Sequence, residues 1–180
     1  MPTLTRLPTR RADGAVHVVV ESPRGATVKL KYDPDLGIFT LSRPLVLGVR
    51  YPFDWGFVPS TLAEDGDPLD AMVLHEDATY PGVVLACRPI GVVEVSQKSK
   101  EHPGRRERND RVIAVPVGAP RLGAVRSLDD VPERTRKELE HFFLAATALQ
   151  DKEVRIEGWQ GAAEAEAAVD RASLGQSKQG

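Results

Sequence analysis

Cysteine is nearly absent from this chain: Cys87 is the only one in 180 residues. It can form no internal disulfide and no cysteine-rich zinc site, so a reducing, cytoplasmic setting is expected. A surplus of one charge is lacking too. Twenty-four Lys and Arg against 26 Asp and Glu leave a formal net charge of −2, which argues against a dedicated nucleic-acid coat, usually strongly basic. No apolar run approaches the ~20 residues that a membrane helix needs. The N-terminal stretch from Met1 to Gly14 has no apolar segment of the kind a secretory signal carries. Neither a membrane nor a nucleic acid is therefore expected as partner. What is present is 41% hydrophobic and 28% charged sequence, which excludes wholesale disorder. The length suits a single domain over residues 1–180 with its own core, and 14 Pro with 15 Gly favour many short elements joined by turns.

The first fourteen residues, polar with two prolines, are expected as a loose arm, and Gly175 to Gly180 as a disordered tail. Between them the dominant period is two. Val16 to Val20 is a β-branched run, and Val28, Leu30 and Tyr32 alternate with Thr27, Lys29 and Lys31, so Lys29 and Lys31 share a strand face. Asp33-Pro34-Asp35-Leu36-Gly37 supplies turn chemistry before a returning strand from Ile38 to Arg43. Further strands are expected at Val46 to Tyr51, Leu69 to Leu74, Val83 to Val95, Arg111 to Val117 and Glu153 to Trp159. Ser96 to Asp110 reads as a long polar loop. A capping box at Asp130 and Glu133 opens a helix whose stripe is Leu139, Phe142, Phe143, Ala146 and Leu149. A second helix of high propensity covers Ala162 to Ala172. Strands followed by helices argue for an α+β, mainly β, barrel-like fold and not a doubly wound sheet.

The informative stretch is Asp65-Gly66-Asp67-Pro68-Leu69-Asp70. Three carboxylates within six residues repel one another unless a cation or a proton intervenes. Gly66 permits a sharp path, and Pro68 biases Asp67 to an extended conformation. Such hard oxygen donors suit magnesium or manganese better than zinc. A calcium EF-hand counted from Asp65 fails, because its sixth position is Asp70 where glycine is needed. An aspartyl-phosphate motif is weak here, because Pro59 to Glu64 is not a buried apolar strand. Turn-forming aspartates on an ordinary surface loop stay open as the plain reading.

Tyr51-Pro52 through Asp70, reading YPFDWGFVPSTLAEDGDPLD, resembles the signature region of the soluble family I inorganic pyrophosphatases. The likeness continues through Arg88 to Val92, Val112 to Pro116, the Phe142-Phe143 helix and Glu157-Gly158-Trp159. It implies a five-stranded OB-like barrel with two flanking helices, Mg2+ dependence with Mn2+ as a substitute, a small-molecule phosphoanhydride as substrate, and a homo-oligomer, often a hexamer in bacteria. By the same resemblance Asp67 matches the general base, and Asp65 and Asp70 match metal ligands. Glu21 faces a further metal, and Asp110 stands next to the position of another metal-ligand aspartate. Lys29, Arg43, Tyr51 and Arg111 match groups that hold phosphate oxygens.

The departures from that pattern all concern the same site. Lys31 replaces a glutamate and Trp55 a tyrosine. Gln97-Lys98 stand for an acidic pair, Asn109 for a metal-ligand aspartate, and Ala146-Thr147 for a phosphate-binding tyrosine-lysine pair. The result is fewer carboxylates and more positive charge. Lys31 is expected to face the substrate and stand in for part of the metal charge. Two readings compete with hydrolysis: an impaired pyrophosphatase-like protein that binds or senses phosphate compounds, and nucleic-acid binding through the Lys98 to Arg111 stretch. The second is opposed by Glu101, Glu107 and Asp110 and by the absence of an aromatic residue for base stacking there.

Overall fold

The computed structural model describes residues 3–177. In chain order its strands are β1 (Val16–Ser22), β2 (Val28–Asp33), β3 (Ile38–Pro44), β4 (Asp54–Phe57), β5 (Asp70–Val73), β6 (Val84–Lys98), β7 (Arg106–Arg108), β8 (Arg111–Pro116) and β9 (Arg155–Gly161). The helices are α1 (Glu133–Ala145), which precedes β9, and α2 (Ala162–Ser177), which follows it. Strands β1, β4, β5, β8 and β6 are hydrogen-bonded in that sequence, and β6 pairs back onto β1 in register Val16↔Cys87 to Val19↔Val84. This second pairing closes a five-stranded barrel, as the resemblance implies. The far half of β6 leaves the ring and carries β7 and β9, while β2 and β3 form a separate hairpin.

Strand alternation divides the interior into two clusters. Met72, Ile113 and Val115 face one side, with Trp55, Ile90, Val93 and the α1 residues Leu139, Phe142 and Phe143. Ala71, Val73, Val112 and Ala114 face the other, against Val16, Val18 and the α2 residues Val169 and Ala172. Each fully buried Leu or Phe contributes roughly 1.5–3 kcal/mol, so the apolar stripe of α1 holds that helix across one end of the ring. Among the described residues, no helix is long and apolar enough to cross a membrane.

Several local expectations are overturned. Val46 to Tyr51 is not a strand. Val49 N–H turns back onto Val46 O at 2.9 Å, Leu47 is 98% exposed, and Gly48 lies at φ +84°. The strand is Asp54–Phe57 instead, short and interrupted by Gly56. Ser96 to Asp110 is no open loop, because β7 folds back on β6 in register Ser96↔Arg108. The capping box lies one turn earlier than expected. Asp130 Oδ2 accepts the Arg126 and Ser127 N–H groups at 2.8 and 3.0 Å and is thereby tied to a short 3-10 turn, while Pro132 stands at the α1 N-cap with no side-chain acceptor. Helix α1 ends at Ala145, and Leu149 is 85% exposed outside it.

Residues 3–14 are not loose. Ser60 N–H donates to Thr5 O, His17 N–H to Thr9 O, and Leu4 and Leu7 pack on Val19, Tyr32 and Phe57. Residues 175–177 continue α2, and the rest of the expected tail, 178–180, lies outside the described residues.

Close approach of β1 and β4 depends on Gly56, where an added Cβ would lie 1.9 Å from Val19 O. Two strands of the ring must separate to admit a methyl group there. Gly56→Ala is expected to destabilise by about 3 kcal/mol or more, seen as a fall of at least ~6 °C in melting temperature. An unchanged melting temperature would show that the ring has slack at this edge.

Candidate active site

The ring brings the starts of β5 and β8 to one mouth. These two strands run parallel with Asp70 opposite Arg111, and β4 sets Phe57 on the other side of Asp70. The loop before β5 is pinned by Thr61, whose hydroxyl accepts the Leu69 N–H at 2.9 Å and donates to Val58 O at 2.6 Å. Gly66, at φ +81°, then turns the chain so that the Asp67 N–H donates to Asp65 Oδ1 at 3.2 Å. A cavity of about 300 Å3 results, bounded by Asp65, Asp67 and Asp70, by the β2–β3 hairpin and by the end of α1. Glu21, Lys29, Lys31, Arg43, Tyr51 and Arg111 all line it.

The hairpin supplies cations. Alternation points Lys29 and Lys31 the same way, and Lys29 stands directly across the ladder from Arg43. Two like charges facing each other across a strand pair are unfavourable unless an anion joins them. Neither side chain has a hydrogen-bond or ion-pair partner among the described residues. Lys31 does: its Nζ lies 2.7 Å from Asp67 Oδ1. Both groups are about two-fifths exposed, so the pair adds little to stability. Its consequence is electrostatic.

Burial alone would raise the Asp67 carboxyl, but the hydrogen bond and charge of Lys31 outweigh it and hold Asp67 below the usual carboxylate range. Its neighbours go the other way. Burial, then the Asp70 charge, push Asp65 up to about 6. Burial pushes Glu21 up to about 7, although its Oε1 accepts the Tyr32 N–H at 2.8 Å. Asp70 is raised by burial against the pull of Lys29 and Arg111. One carboxylate is thus kept ionised while three others are strained as anions.

Deeper in, the Arg111 guanidinium is buried between the rings of Trp55 and Phe143, at 5.7 and 5.4 Å. It donates to its neighbour Asn109 O, and burial lowers its pKa. Arg111 Nε and the Trp55 indole N–H are buried with no acceptor among the described residues. Unpaired buried donors beside a buried cation are costly, and an anion entering the cavity would satisfy them. Tyr51 packs on Phe142 at 5.1 Å, and burial pushes its hydroxyl up to about 12, so it acts as a neutral donor.

Not every expected residue reaches this cavity. Asp110 turns away: its Oδ1 accepts the Val95 N–H at 3.1 Å and its Oδ2 pairs with Arg108 at 2.6 Å, in a different cleft beside Glu64 and Arg171. These two residues link β7 to β8, and with Asp110 held by Val95 and Arg108 the one at the cavity is Asn109. Its amide donates to Gln97 Oε1 at 3.1 Å, and Gln97 in turn donates to Glu107 at 3.0 Å. A hydrogen bond joins two buried amides where two carboxylates would repel each other unless a cation intervened. Lys98 points outward to Asp151 and Glu153. Ala146 and Thr147 line the cavity without charge, and the Thr147 hydroxyl is spent on Phe143 O at 2.9 Å. One lining residue escaped sequence reasoning. Lys152 comes from an irregular polar segment that carries no periodic signal.

The donor set fits a hard divalent ion in type, since Asp65, Asp70 and Glu21 are carboxyl oxygen donors at one cavity, each made less favourable as an anion chiefly by burial. Among the described residues no three carboxylate, imidazole or thiol groups converge on one point. An ion here would be held by one or two carboxylates with water and substrate oxygens, the usual mode for magnesium.

Comparison with known proteins gives one family throughout. Residues 18–174 match the sequence model of the pyrophosphatase family, described as inorganic pyrophosphatase. The inorganic pyrophosphatase of Nostoc is 39% identical over 168 residues, 93% of this chain and 95% of that protein. That of Thermus thermophilus is 42% identical over 89% of this chain and 90% of its own. The crystal structure of the Thermus thermophilus inorganic pyrophosphatase superposes with a TM-score of 0.89 over 98% of this chain and 99% of that one. The Helicobacter pylori enzyme superposes at 0.86 with 29% identity, covering 97% and 99%.

The raised carboxyls have a consequence for the metal-free protein. A carboxyl whose pKa is raised on folding binds its proton more tightly in the native state, so its contribution to stability falls as pH rises, for Asp65 between about 4 and 6. Asp65→Asn with Asp70→Asn, scanned with chelator present, is expected to melt ~4 °C above wild type at pH 8 and to lose most of that advantage by about pH 4. The same double variant should show no magnesium binding heat. Equal melting curves at pH 8 would mean that these carboxyls are not strained.

Proposed function

The chain belongs to the soluble family I inorganic pyrophosphatases, and we propose that it hydrolyses inorganic pyrophosphate to two phosphates with Asp67 as general base. The observation that carries this reading is the contrast within one cavity. Asp67 is held ionised by Lys31, while Lys29, Arg43 and Arg111 face it with no anionic partner among the described residues. Pyrophosphate is a compact polyanion, and its hydrolysis is chiefly a matter of positioning and charge neutralisation. Lys29 and Arg43, opposed across the hairpin, bind the oxygens of one phosphoryl group. Arg111 and the Tyr51 hydroxyl bind the other. Arg43 can do so with two parallel N–H donors. Asp67 accepts the proton as a water oxygen bonds to phosphorus and the bridging P–O bond breaks. The Lys31 ammonium fixes the orientation of Asp67 and keeps it unprotonated at neutral pH, at some cost in basicity.

Members of the family depend on a metal, and we assign Mg2+, replaceable by Mn2+, to Asp65 and Asp70, with Glu21 facing a further ion. When bound it lowers the pKa of water and neutralises phosphoryl oxygens. The Gln97–Asn109 pair and Lys31 imply that fewer ions are held than by a site with carboxylates at those positions. The same substitutions favour the second reading, a protein that binds phosphate compounds without turnover, and the ionised Asp67 weighs against it.

We further read residues 1–180 as one domain acting in the cytoplasm, with no nucleic acid or membrane partner. It would self-associate into a homo-oligomer, a hexamer by family habit, through the exposed Leu36, Ile38, Leu41 and Leu47 of the β2–β3 hairpin and its following turn.

Phosphate release from pyrophosphate tests the reading directly. Asp67→Asn is expected to lower turnover by ~10²–10⁴-fold at saturating magnesium with the melting transition kept. Near wild-type turnover would remove Asp67 as the base, and an inactive wild type would leave the binding reading.

Lys31→Glu places a second anion beside Asp67 in place of a cation. Half-maximal activity is expected at roughly tenfold higher magnesium, with weaker pyrophosphate binding at low metal. Superimposable curves across a magnesium series would show that Lys31 adds nothing beyond its contact with Asp67.

A further inference from the structure

Asp54 opens β4 and is wholly buried, yet it takes no part in the chemistry proposed above. Three residues outside its own strand donate to its carboxylate. Oδ1 accepts the Arg24 N–H at 2.7 Å. Oδ2 accepts the Thr79 hydroxyl at 2.6 Å, the Thr79 N–H at 3.2 Å and His75 Nε2 at 2.9 Å. A carboxylate only accepts, so His75 carries a proton on that nitrogen. No lysine or arginine side chain pairs with Asp54 among the described residues. An anion buried in this way gains little stability over an apolar residue of similar size. What the carboxylate adds is four donors drawn to one point. An apolar residue would hold none of them, and an amide would turn a donor of its own towards other donors.

The segment that Arg24 belongs to matters to the cavity. It connects β1, which ends one residue after Glu21, to β2, which carries Lys29 and Lys31. The same connection is tied to Tyr51. The Gly25 N–H donates to Tyr51 O at 2.8 Å, and the Tyr51 N–H donates to Ala26 O at 3.0 Å. Beyond it the hairpin opens with Val28 opposite Pro44 and Lys29 opposite Arg43. Among the described residues β2 and β3 pair only with each other, so the hairpin depends on side-chain and turn anchors for its place at the mouth. The Arg24 guanidinium reinforces this anchor, donating to Glu76 O at 2.6 Å and lying over the Phe53 ring at 5.7 Å.

We propose that Asp54 is a positioning residue for pyrophosphate binding: its carboxylate fixes the 23–27 connection, and with it Tyr51 and the cations of the β2–β3 hairpin, at the cavity mouth. The inference deepens the pyrophosphatase reading and rests on it for the identity of the anion. None of Asp54, Arg24, His75 and Thr79 lines the cavity. They act through groups that do.

The experiment measures pyrophosphate hydrolysis, calorimetric binding of inorganic phosphate with magnesium present, and melting temperature. The proteins are wild type, Asp54→Ala, Asp54→Asn, Thr79→Val, Thr79→Ser, Tyr51→Phe and the Asp54→Ala/Tyr51→Phe double variant. Misplacing binding groups by about 1 Å can cost about a hundredfold. Asp54→Ala is therefore expected to raise KM and weaken phosphate binding by at least about tenfold, with kcat changed by less than about threefold. Asp54→Asn keeps an acceptor for the Arg24 N–H and should recover most of the loss. Thr79→Val removes one donor and should weaken binding by about threefold, which Thr79→Ser should restore. In the double variant the loss should fall short of the two single losses combined, because Asp54 acts partly through Tyr51. A lower melting temperature with unchanged phosphate affinity in Asp54→Ala overturns the proposal. If that variant does not fold, unchanged affinity in Thr79→Val overturns it. Fully independent losses in the double variant overturn the route through Tyr51. A wild type whose phosphate binding depends on Asp54 but which fails to hydrolyse pyrophosphate supports the positioning role and sinks the catalytic reading instead.

Discussion

Closure of β1 onto β6 is the constraint from which the site follows. Without the register Val16↔Cys87 the five strands would be an open sheet with two edges. With it, β4, β5 and β8 must end around a common mouth, and the parallel pairing of β5 with β8 sets Asp70 against Arg111. A rigid ring holds these two charges at adjacent rungs, while the loop and hairpin that complete the site attach to its rim. The close β1–β4 contact at Gly56 belongs to the same constraint, because an added Cβ there would lie 1.9 Å from Val19 O.

The cavity is a problem in charge balance. Asp65, Asp70 and Glu21 are all raised by burial, so they await cations. Lys29, Arg43, Arg111 and Lys152 form no ion pair among the described residues, so they await anions. Only Lys31 and Asp67 have settled the matter between themselves. A metal–polyanion complex supplies both missing signs at once, which is why a cavity costly when empty is reasonable as a binding site. The replacements at Gln97 and Asn109 fit this logic as a couple. Asn109 donates to Gln97 and Gln97 donates to Glu107, so the amides are tied to each other and to the β6–β7 hairpin without a metal.

Much of this was legible in sequence because it depends on local order. The Asp65 to Asp70 run names its own chemistry, and the period-two alternation of Val28 to Tyr32 puts Lys29 and Lys31 on one face. The stripe of Leu139, Phe142 and Phe143 marks the helix that covers the mouth. Those inferences need only neighbours in the chain and the geometry of a strand or a helix. Errors arose where a neighbour in space decided. Asp110 is adjacent to Asn109 in sequence but points to another cleft, because the Val95 N–H and Arg108 hold its carboxylate there, and of the two only Asn109 lines the cavity. Asp54–Phe57 is a strand because β1 and β5 pair with both its edges, not because its residues favour one.

The sequence by itself determined the family, the barrel-and-helix composition and the carboxylate motif, since each is written in contiguous residues. Tertiary structure alone decided which charges share the cavity. Lys152 lines it from a segment without regular structure, which Lys98 and Arg106, some fifty residues earlier in the chain, bind at Asp151, Lys152 and Glu153. Asp67 is held below the usual carboxylate range chiefly because a lysine on a separate hairpin reaches it at 2.7 Å. Electrostatic interactions depend on distance through space and on burial, and neither can be read from separation along the chain.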